Sequence, residues 1–245
     1  MSVVSIIIPT FNSEKTVKAA LDSVLYQSFQ DWECIIIDGA SKDNTLSIIQ
    51  EYCERDHRFR YISETDHGIY DAFNKGWKMS RSEWVYYLGS DDSLTVDGMR
   101  IIIPELDSAY AIVTGDVYLH RNDGTVRTLR TNGFCGCHQG FLMQRLIIDR
   151  MGGFDEQYHI IADYDLMART KQAGYKSKNV RVMLANFSVG GASQKLSSQW
   201  EVMKERYHID RINKTQKCPL LFSLSSFLVM VLSNVYRSLK SGFKR

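Results

Sequence analysis

Residues 3–12, Val-Val-Ser-Ile-Ile-Ile-Pro-Thr-Phe-Asn, decide the fold of this 245-residue chain. The run is largely β-branched and is stopped at once by Pro9, which describes a short strand. A strand apolar at nearly every position is buried on both faces, as in a parallel sheet. Residues 33–38 (Glu-Cys-Ile-Ile-Ile-Asp) and 84–88 (Trp-Val-Tyr-Tyr-Leu) repeat the pattern. Helical periodicity fills the gaps. Over 13–28 the apolar residues recur at Val17, Ala20, Leu21, Val24 and Leu25, with Ser13 expected as N-cap, and 44–52 and 70–79 follow the same logic. Strand, helix, strand, helix, strand is one half of a doubly wound α/β sheet. Ligands of such sheets bind beyond the carboxyl ends of the strands, so the residues after each strand are the place to look for chemistry.

Those residues are Pro9-Thr10-Phe11-Asn12, Asp38-Gly39-Ala40-Ser41-Lys42-Asp43 and Gly89-Ser90-Asp91-Asp92. Any one cluster is explained by turn formation and helix capping; three at one sheet edge point to a site. Asp91 and Asp92 are the most informative pair, because adjacent carboxylates repel unless a cation or several donors compensate them. Mg²⁺ or Mn²⁺ is commonly held by one or two protein carboxylates, with water and substrate phosphates completing its shell. The pair therefore suggests a nucleoside diphosphate site with Mn²⁺ or Mg²⁺ as cofactor.

The second half is less regular. Residues 111–120 and 125–130 flank Arg-Asn-Asp-Gly as a hairpin, helices are expected over 144–150 and 163–173, and a strand over 180–189. Acceptor binding is placed here, in residues 96–200. The composition, 44% apolar and 24% charged, is that of a globular protein with one main domain, not of a disordered or repeat chain. Five irregularly spaced cysteines do not form a disulfide framework, and the N-terminus lacks a basic region before its apolar run, so a reducing, cytoplasmic location is expected.

The net charge of +2 conceals two parts: residues 1–200 carry 21 Lys/Arg against 25 Asp/Glu, and residues 201–245 carry nine against three. Residues 218–236 contain no charge, and basic residues flank them. As a helix they would extend about 28 Å, near the hydrocarbon thickness of a bilayer, but serines and Asn234 dilute the run. The expectation for 211–245 is an amphipathic helix lying on an anionic membrane surface. A true span, or packing on the domain or on a second subunit as a homodimer, are the alternatives. No nucleic-acid partner is expected.

The segments VSIIIPTFN, IIIDGASKDNT, ETDHGIYDAFNKG, YYLGSDD and GGFDEQYHIIADYDLMAR, in this order, resemble the successive motifs of family 2 glycosyltransferases of the GT-A fold, over about residues 3–195. More narrowly they look like those of bacterial enzymes that assemble surface polysaccharides such as O-antigen or colanic acid. The resemblance implies a Rossmann-like nucleotide-binding half with a mainly parallel central sheet, and inverting transfer from a UDP-sugar to a lipid-linked saccharide at the inner face of the cell membrane. It implies that Phe11 stacks on the base, that Thr10 contacts the nucleotide through backbone or hydroxyl, and that Asp38 hydrogen-bonds the uracil, with Asn12 and Gly39 beside them. Asp91 becomes a ribose or sugar contact and Asp92 the metal ligand, and Asp66, Asn74 and Lys75 stand beside the diphosphate and donor sugar. Ser90 departs from the acidic or amide residue found in many members.

A base must reach the acceptor hydroxyl, and the resemblance maps it to Asp163. Asp165 is the competitor; on a helix the two point about 200° apart, so they do not face one site. Tyr70 and Phe73 are expected in the core. Cys135-Gly-Cys137-His138 lacks the second Cys/His pair of a structural zinc site, and His138-Gln139 is expected in the acceptor region. The rival functions are a sugar-phosphate nucleotidyltransferase, which would need a Gly-rich basic loop after the first strand, and a nucleotide-sugar-binding scaffold without activity.

Overall fold

The computed structural model describes residues 2–121, 123–134, 136–188, 198–220, 224, 225 and 228. In chain order its elements are β1 (Val4–Thr10), α1 (Val17–Leu25), β2 (Trp32–Asp38), α2 (Thr45–Arg55), β3 (Phe59–Ser63), α3 (Ile69–Met79), β4 (Trp84–Tyr87), β5 (Ser93–Leu94), α4 (Gly98–Ile102), β6 (Ile112–His120), β7 (Val126–Leu129), β8 (Phe141–Gln144), α5 (Arg145–Arg150), α6 (Ala162–Gln172), β9 (Ser177–Ser188) and α7 (Gln199–Ile212). The chain divides into two compact units, 1–189 and 190–245. The second contains α7, and most of the uncharged stretch 218–236 lies outside the described residues. Among the described residues no helix is long and apolar enough to cross a membrane.

Among the described residues the first unit is built on one nine-stranded sheet in the order β3-β2-β1-β4-β8-β6-β9-β5, with β7 paired to β6. The four strands β3, β2, β1 and β4 are parallel. Every residue of β1, β2 and β4 is buried, which is why their sequences are apolar on both faces. Val4, Ile6 and Ile8 join Val17, Leu21 and Val24 of α1 and Ile49 and Tyr52 of α2 in one core cluster. Ile7 points to the other face, against α3. There Gly76 is obligatory, since a Cβ on it would lie 2.3 Å from Ile7 Cγ2. Beyond β4 the sheet turns mixed: β8 is antiparallel to both β4 and β6, and β9 runs parallel to β6.

Two expectations need correction. Ser13 is not the N-cap of α1: the helix starts at Val17 after a turn in which the Ser13 carbonyl accepts the Thr16 and Val17 amides. The Ser13 hydroxyl turns away to Ser90, 2.9 Å distant. The strands β3, β5 and β8 and the helix α4 were not anticipated. They are two to five residues long, too short for periodicity to register.

Candidate functional site

The parallel strands end together, and their loops are clasped to one another. Asp38, the last residue of β2, has no exposed surface and accepts hydrogen bonds from Thr10 Oγ1 (3.1 Å), the Ser41 amide (3.1 Å), Ser41 Oγ (2.5 Å) and Ser63 Oγ (2.6 Å). A buried carboxylate needs such donors, and here they join the ends of β1, β2 and β3. Across the gap Asn12 donates its amide to Ser41 Oγ (2.9 Å) and accepts the Lys42 amide at its side-chain oxygen (2.8 Å). Both loops bend through left-handed backbone, Asn12 at φ +48° and Ala40 at φ +57°.

On this platform Phe11 is 62% exposed, a large ring held in solvent at a strand end. Beside it a Cβ on Gly39 would lie 2.5 Å from Asp66 Oδ2 and 3.3 Å from the Phe11 ring. The glycine therefore lets the ring and the carboxylate close over the loop. Asp66 is fixed in turn by the Gly68 amide, 3.0 Å from Oδ1. Phe11, Gly39 and Asp66 thus form one wall.

The loop after β4 carries the acidic pair. Asp91 is exposed and Asp92 only 3% exposed. Asp92 Oδ2 accepts Gln139 Nε2 at 2.7 Å and Oδ1 accepts the Ser188 amide at 2.9 Å. Burial, with the neighbouring Asp91 charge adding to it, pushes the Asp92 carboxyl up to about 6, against the pull of the Ser188 and Gln139 hydrogen bonds. Gly89 makes room for both carboxylates; a Cβ there would lie 2.5 Å from Asp92 Oδ2 and 3.0 Å from Asp91 Oδ1. A cavity of about 510 Å³ opens beside them, lined among others by Asn12, Ser13, Asp43, Ser90 and Asp91.

The pair fits a hard divalent cation. Each Asp92 oxygen makes one hydrogen bond, which leaves further lone-pair capacity, and the raised proton affinity marks a place short of positive charge. Among the described residues no cluster of three or more His, Cys, Asp or Glu is arranged to hold a metal. The two carboxylates would therefore share the ion with phosphate and water, the usual arrangement for Mg²⁺.

Asp163 lies in the first turn of α6. Its Oδ1 accepts the Tyr164 amide (2.8 Å) and lies 3.4 Å from Tyr70 Oη, while Oδ2 lies 3.4 Å from His138 Nδ1. Asp165 is buried and salt-bridged to Arg169 at 2.7 Å. That arginine also donates to the carbonyls of Met151 and Gly153, so Asp165 holds the loop before α6. The angular argument from the sequence holds in three dimensions: the two aspartates have different neighbours. Tyr70 and Phe73 are buried as expected, with Tyr70 additionally reaching Asp163.

Asn74 and Lys75 are both engaged within the protein. The Asn74 amide is buried and turned to the loop before α6, donating to Phe154 O (2.9 Å) and Glu156 Oε1 (2.8 Å) and accepting the Phe154 amide (2.9 Å) and Trp77 Nε1 (3.1 Å). Its hydrogen-bonding capacity is used within the protein, so it anchors a loop rather than a ligand. The Lys75 ammonium is compensated by Glu64 (3.0 Å) and Asp71 (3.2 Å). Ser63 and Ser188, by contrast, were overlooked. Ser63 ends β3, a strand too short for its pattern to register, and the Ser188 contact, 96 residues from Asp92, leaves no sequence signal. Burial and the charges of Asp163 and Asp92 push the Cys137 thiol up to about 12. Cys135 lies outside the described residues.

A parallel α/β half whose strand ends carry an exposed aromatic ring, an acidic pair and a separate helix-borne carboxylate defines a nucleotide-dependent transferase. The glycosyl transferase family 2 model matches residues 5–172, and the chain belongs to that family. It is 30% identical over 203 residues to a PGL/p-HBAD biosynthesis glycosyltransferase of Mycobacterium bovis, covering 77% of this chain and 78% of the relative. It is 29% identical over 123 residues to a GalNAc(5)-diNAcBac-PP-undecaprenol beta-1,3-glucosyltransferase of Campylobacter jejuni, covering 49% and 40%. Among solved structures it is similar to Staphylococcus aureus TarS 1-349 in complex with UDP-GlcNAc, with TM-score 0.71 and 16% identity over 94% of this chain and 73% of that one. The GT-A expectation is thereby met: the chain is a nucleotide-sugar glycosyltransferase with a mixed α/β fold.

Proposed function

We propose that the protein transfers a sugar from a UDP-sugar to a lipid-linked saccharide, with inversion at the anomeric carbon, while peripherally bound at the inner face of the cell membrane. The observation that carries the reading is the buried, electrostatically uncompensated Asp92 beside exposed Asp91 at the strand ends, with Asp163 held by the turn that also touches Asp92. The nucleotide lies along the β1 and β2 ends: Phe11 offers its ring to the base, and the Thr10 and Asp38 loops set the height of the pocket. Asp92 would hold Mn²⁺ or Mg²⁺, with Asp91 beside it as a ribose or sugar contact, and the ion would supply charge neutralisation for the departing diphosphate. Asp163 accepts the proton of the acceptor hydroxyl as that oxygen attacks the anomeric carbon from the face opposite the leaving group, and inversion follows from this placement.

The nucleotide and metal are supported by the TarS complex with UDP-GlcNAc and by the chemistry of the acidic pair. The lipid-linked acceptor is supported by the name of the Campylobacter relative, and the membrane location by the basic stretch 211–245. A thermal-shift panel of UDP-, GDP- and dTDP-sugars with Mn²⁺ tests the reading, since a ligand bound only by the folded state raises its stability. A selective UDP response is expected; a selective GDP response would overturn the nucleotide assignment, and binding without turnover of any donor would favour the scaffold.

A further inference from the structure

The short 3-10 turn at His138–Gly140 touches both halves of the chemistry with consecutive side chains. His138 Nδ1 reaches Asp163 Oδ2 at 3.4 Å, and Gln139 Nε2 donates to Asp92 Oδ2 at 2.7 Å. The turn itself is immobilised from beneath. Tyr86 Oη, from the centre of β4, donates to the Gln139 carbonyl at 2.6 Å, and the Gly140 amide closes on the Cys137 carbonyl at 2.9 Å. The His138 ring stands edge-on to Phe73, centroids 5.2 Å apart, and Phe73 is itself fully buried. Gln139 is 2% exposed. Neither side chain is free to swing.

We propose that this turn is a two-armed brace that sets the spacing between the base and the metal carboxylate, with His138 positioning Asp163 and Gln139 positioning Asp92. The inference rests on the reading of those two aspartates given above. It explains two otherwise unexplained groups: among the described residues, His138 Nε2 and Gln139 Oε1 are buried without a hydrogen-bond partner. Such orphaned atoms cost stability, and they follow if the opposite end of each side chain is committed to a carboxylate. The assignment fixes the histidine tautomer. Nδ1 carries the proton, because a bare Nδ1 would present a lone pair to Asp163. The Nδ1–H bond orients the carboxylate at Oδ2, while Oδ1 is oriented from the other side by the Tyr164 amide (2.8 Å) and Tyr70 Oη (3.4 Å), so the carboxylate meets the acceptor hydroxyl in a fixed plane. Transfer needs the attacking oxygen and the departing diphosphate in line, and a misplacement of about 1 Å can cost roughly 10²-fold. One rigid turn contacting both carboxylates controls that line directly.

The first test needs no substrate. In ¹⁵N-histidine-labelled full-length protein, with the His138 ring signals assigned by their loss in His138→Asn, the ring should carry a proton on Nδ1 and should lose that preference in Asp163→Ala. An Nε2–H tautomer in the wild type, or no response to Asp163→Ala, would overturn the brace. The second test separates the arms. Gln139→Ala should reduce the thermal shift produced by UDP with Mn²⁺, whereas His138→Ala should leave it intact and lower kcat for UDP release from UDP-glucose or UDP-GlcNAc about 10²-fold with KM little changed. His138→Asn keeps an N–H near the Nδ1 position and should recover most of kcat; His138→Gln places it elsewhere and should not. Equal loss in all three His138 variants, or equal loss of UDP binding from both arms, would reduce the turn to a packing element. Failure of UDP to shift the wild type would refute the functional reading instead, while the ring spectra still judge the brace.

Discussion

Replacing Asp92 with Asn should make the metal-free protein more stable while removing its metal-dependent activity. Asp92 is buried and its carboxyl is pushed up to about 6 from an unperturbed 3.8, chiefly by desolvation. At 1.36 kcal/mol per pH unit, keeping it ionised in the folded state costs about 3 kcal/mol above pH 6. Because the folded-state pKa is the higher one, the folded protein binds the proton more tightly. The contribution of this group is therefore fully present below about pH 4 and is lost as pH rises through 6. The amide avoids that cost. It also keeps its hydrogen bonds, since its oxygen accepts the Ser188 amide and its NH₂ meets Gln139 Oε1, now unpartnered, once the Gln139 amide flips. Urea denaturation with EDTA at pH 8 should show Asp92→Asn more stable by about 3 kcal/mol, with most of the gain gone at pH 4. A variant less stable than the wild type at pH 8, or a difference independent of pH, would refute the reasoning.

Gly76→Ala should lower stability by about 1–3 kcal/mol in the same assay, since the new methyl meets fully buried Ile7 of β1 and the core has no slack. Gly39→Ala should weaken UDP binding about tenfold, or 1.4 kcal/mol, by displacing Asp66 and Phe11; calorimetric titration measures it, and unchanged affinity would remove that wall from the nucleotide site. Asp165→Ala leaves Arg169 without its carboxylate partner and should cost about 3 kcal/mol of stability, visible as a lowered urea midpoint.

The nucleotide-binding half was legible because its strands are buried on both faces. Residues 3–8, 34–37 and 84–88 are apolar at nearly every position, and the polar residues that follow each run, Thr10, Asp38 and Asp91-Asp92, mark the carboxyl edge. That Asp163 and Asp165 face different surroundings was legible from helical angle, while the assignment of the base to Asp163 came from the family resemblance. What stayed hidden depends on partners far along the chain. Asn74 was placed beside the donor only by the family resemblance, and its amide is held by Phe154 and Glu156, some 80 residues on. Ser13 looked like a cap because Ser precedes an apolar period, yet Ser90 competes for its hydroxyl. The brace at His138-Gln139 was visible only as a position in the acceptor half, since which carboxylates it reaches is decided by how β8 lies between β4 and β6.

The central claim is that Asp163 takes the acceptor proton in a site whose donor half works without it. Asp163→Asn, assayed with Mn²⁺ and the UDP-sugar selected by the thermal-shift panel, measures this most directly. The account predicts UDP and donor binding close to wild type, with transfer and UDP release reduced at least about 10²-fold. Transfer at the wild-type rate in this variant would contradict it.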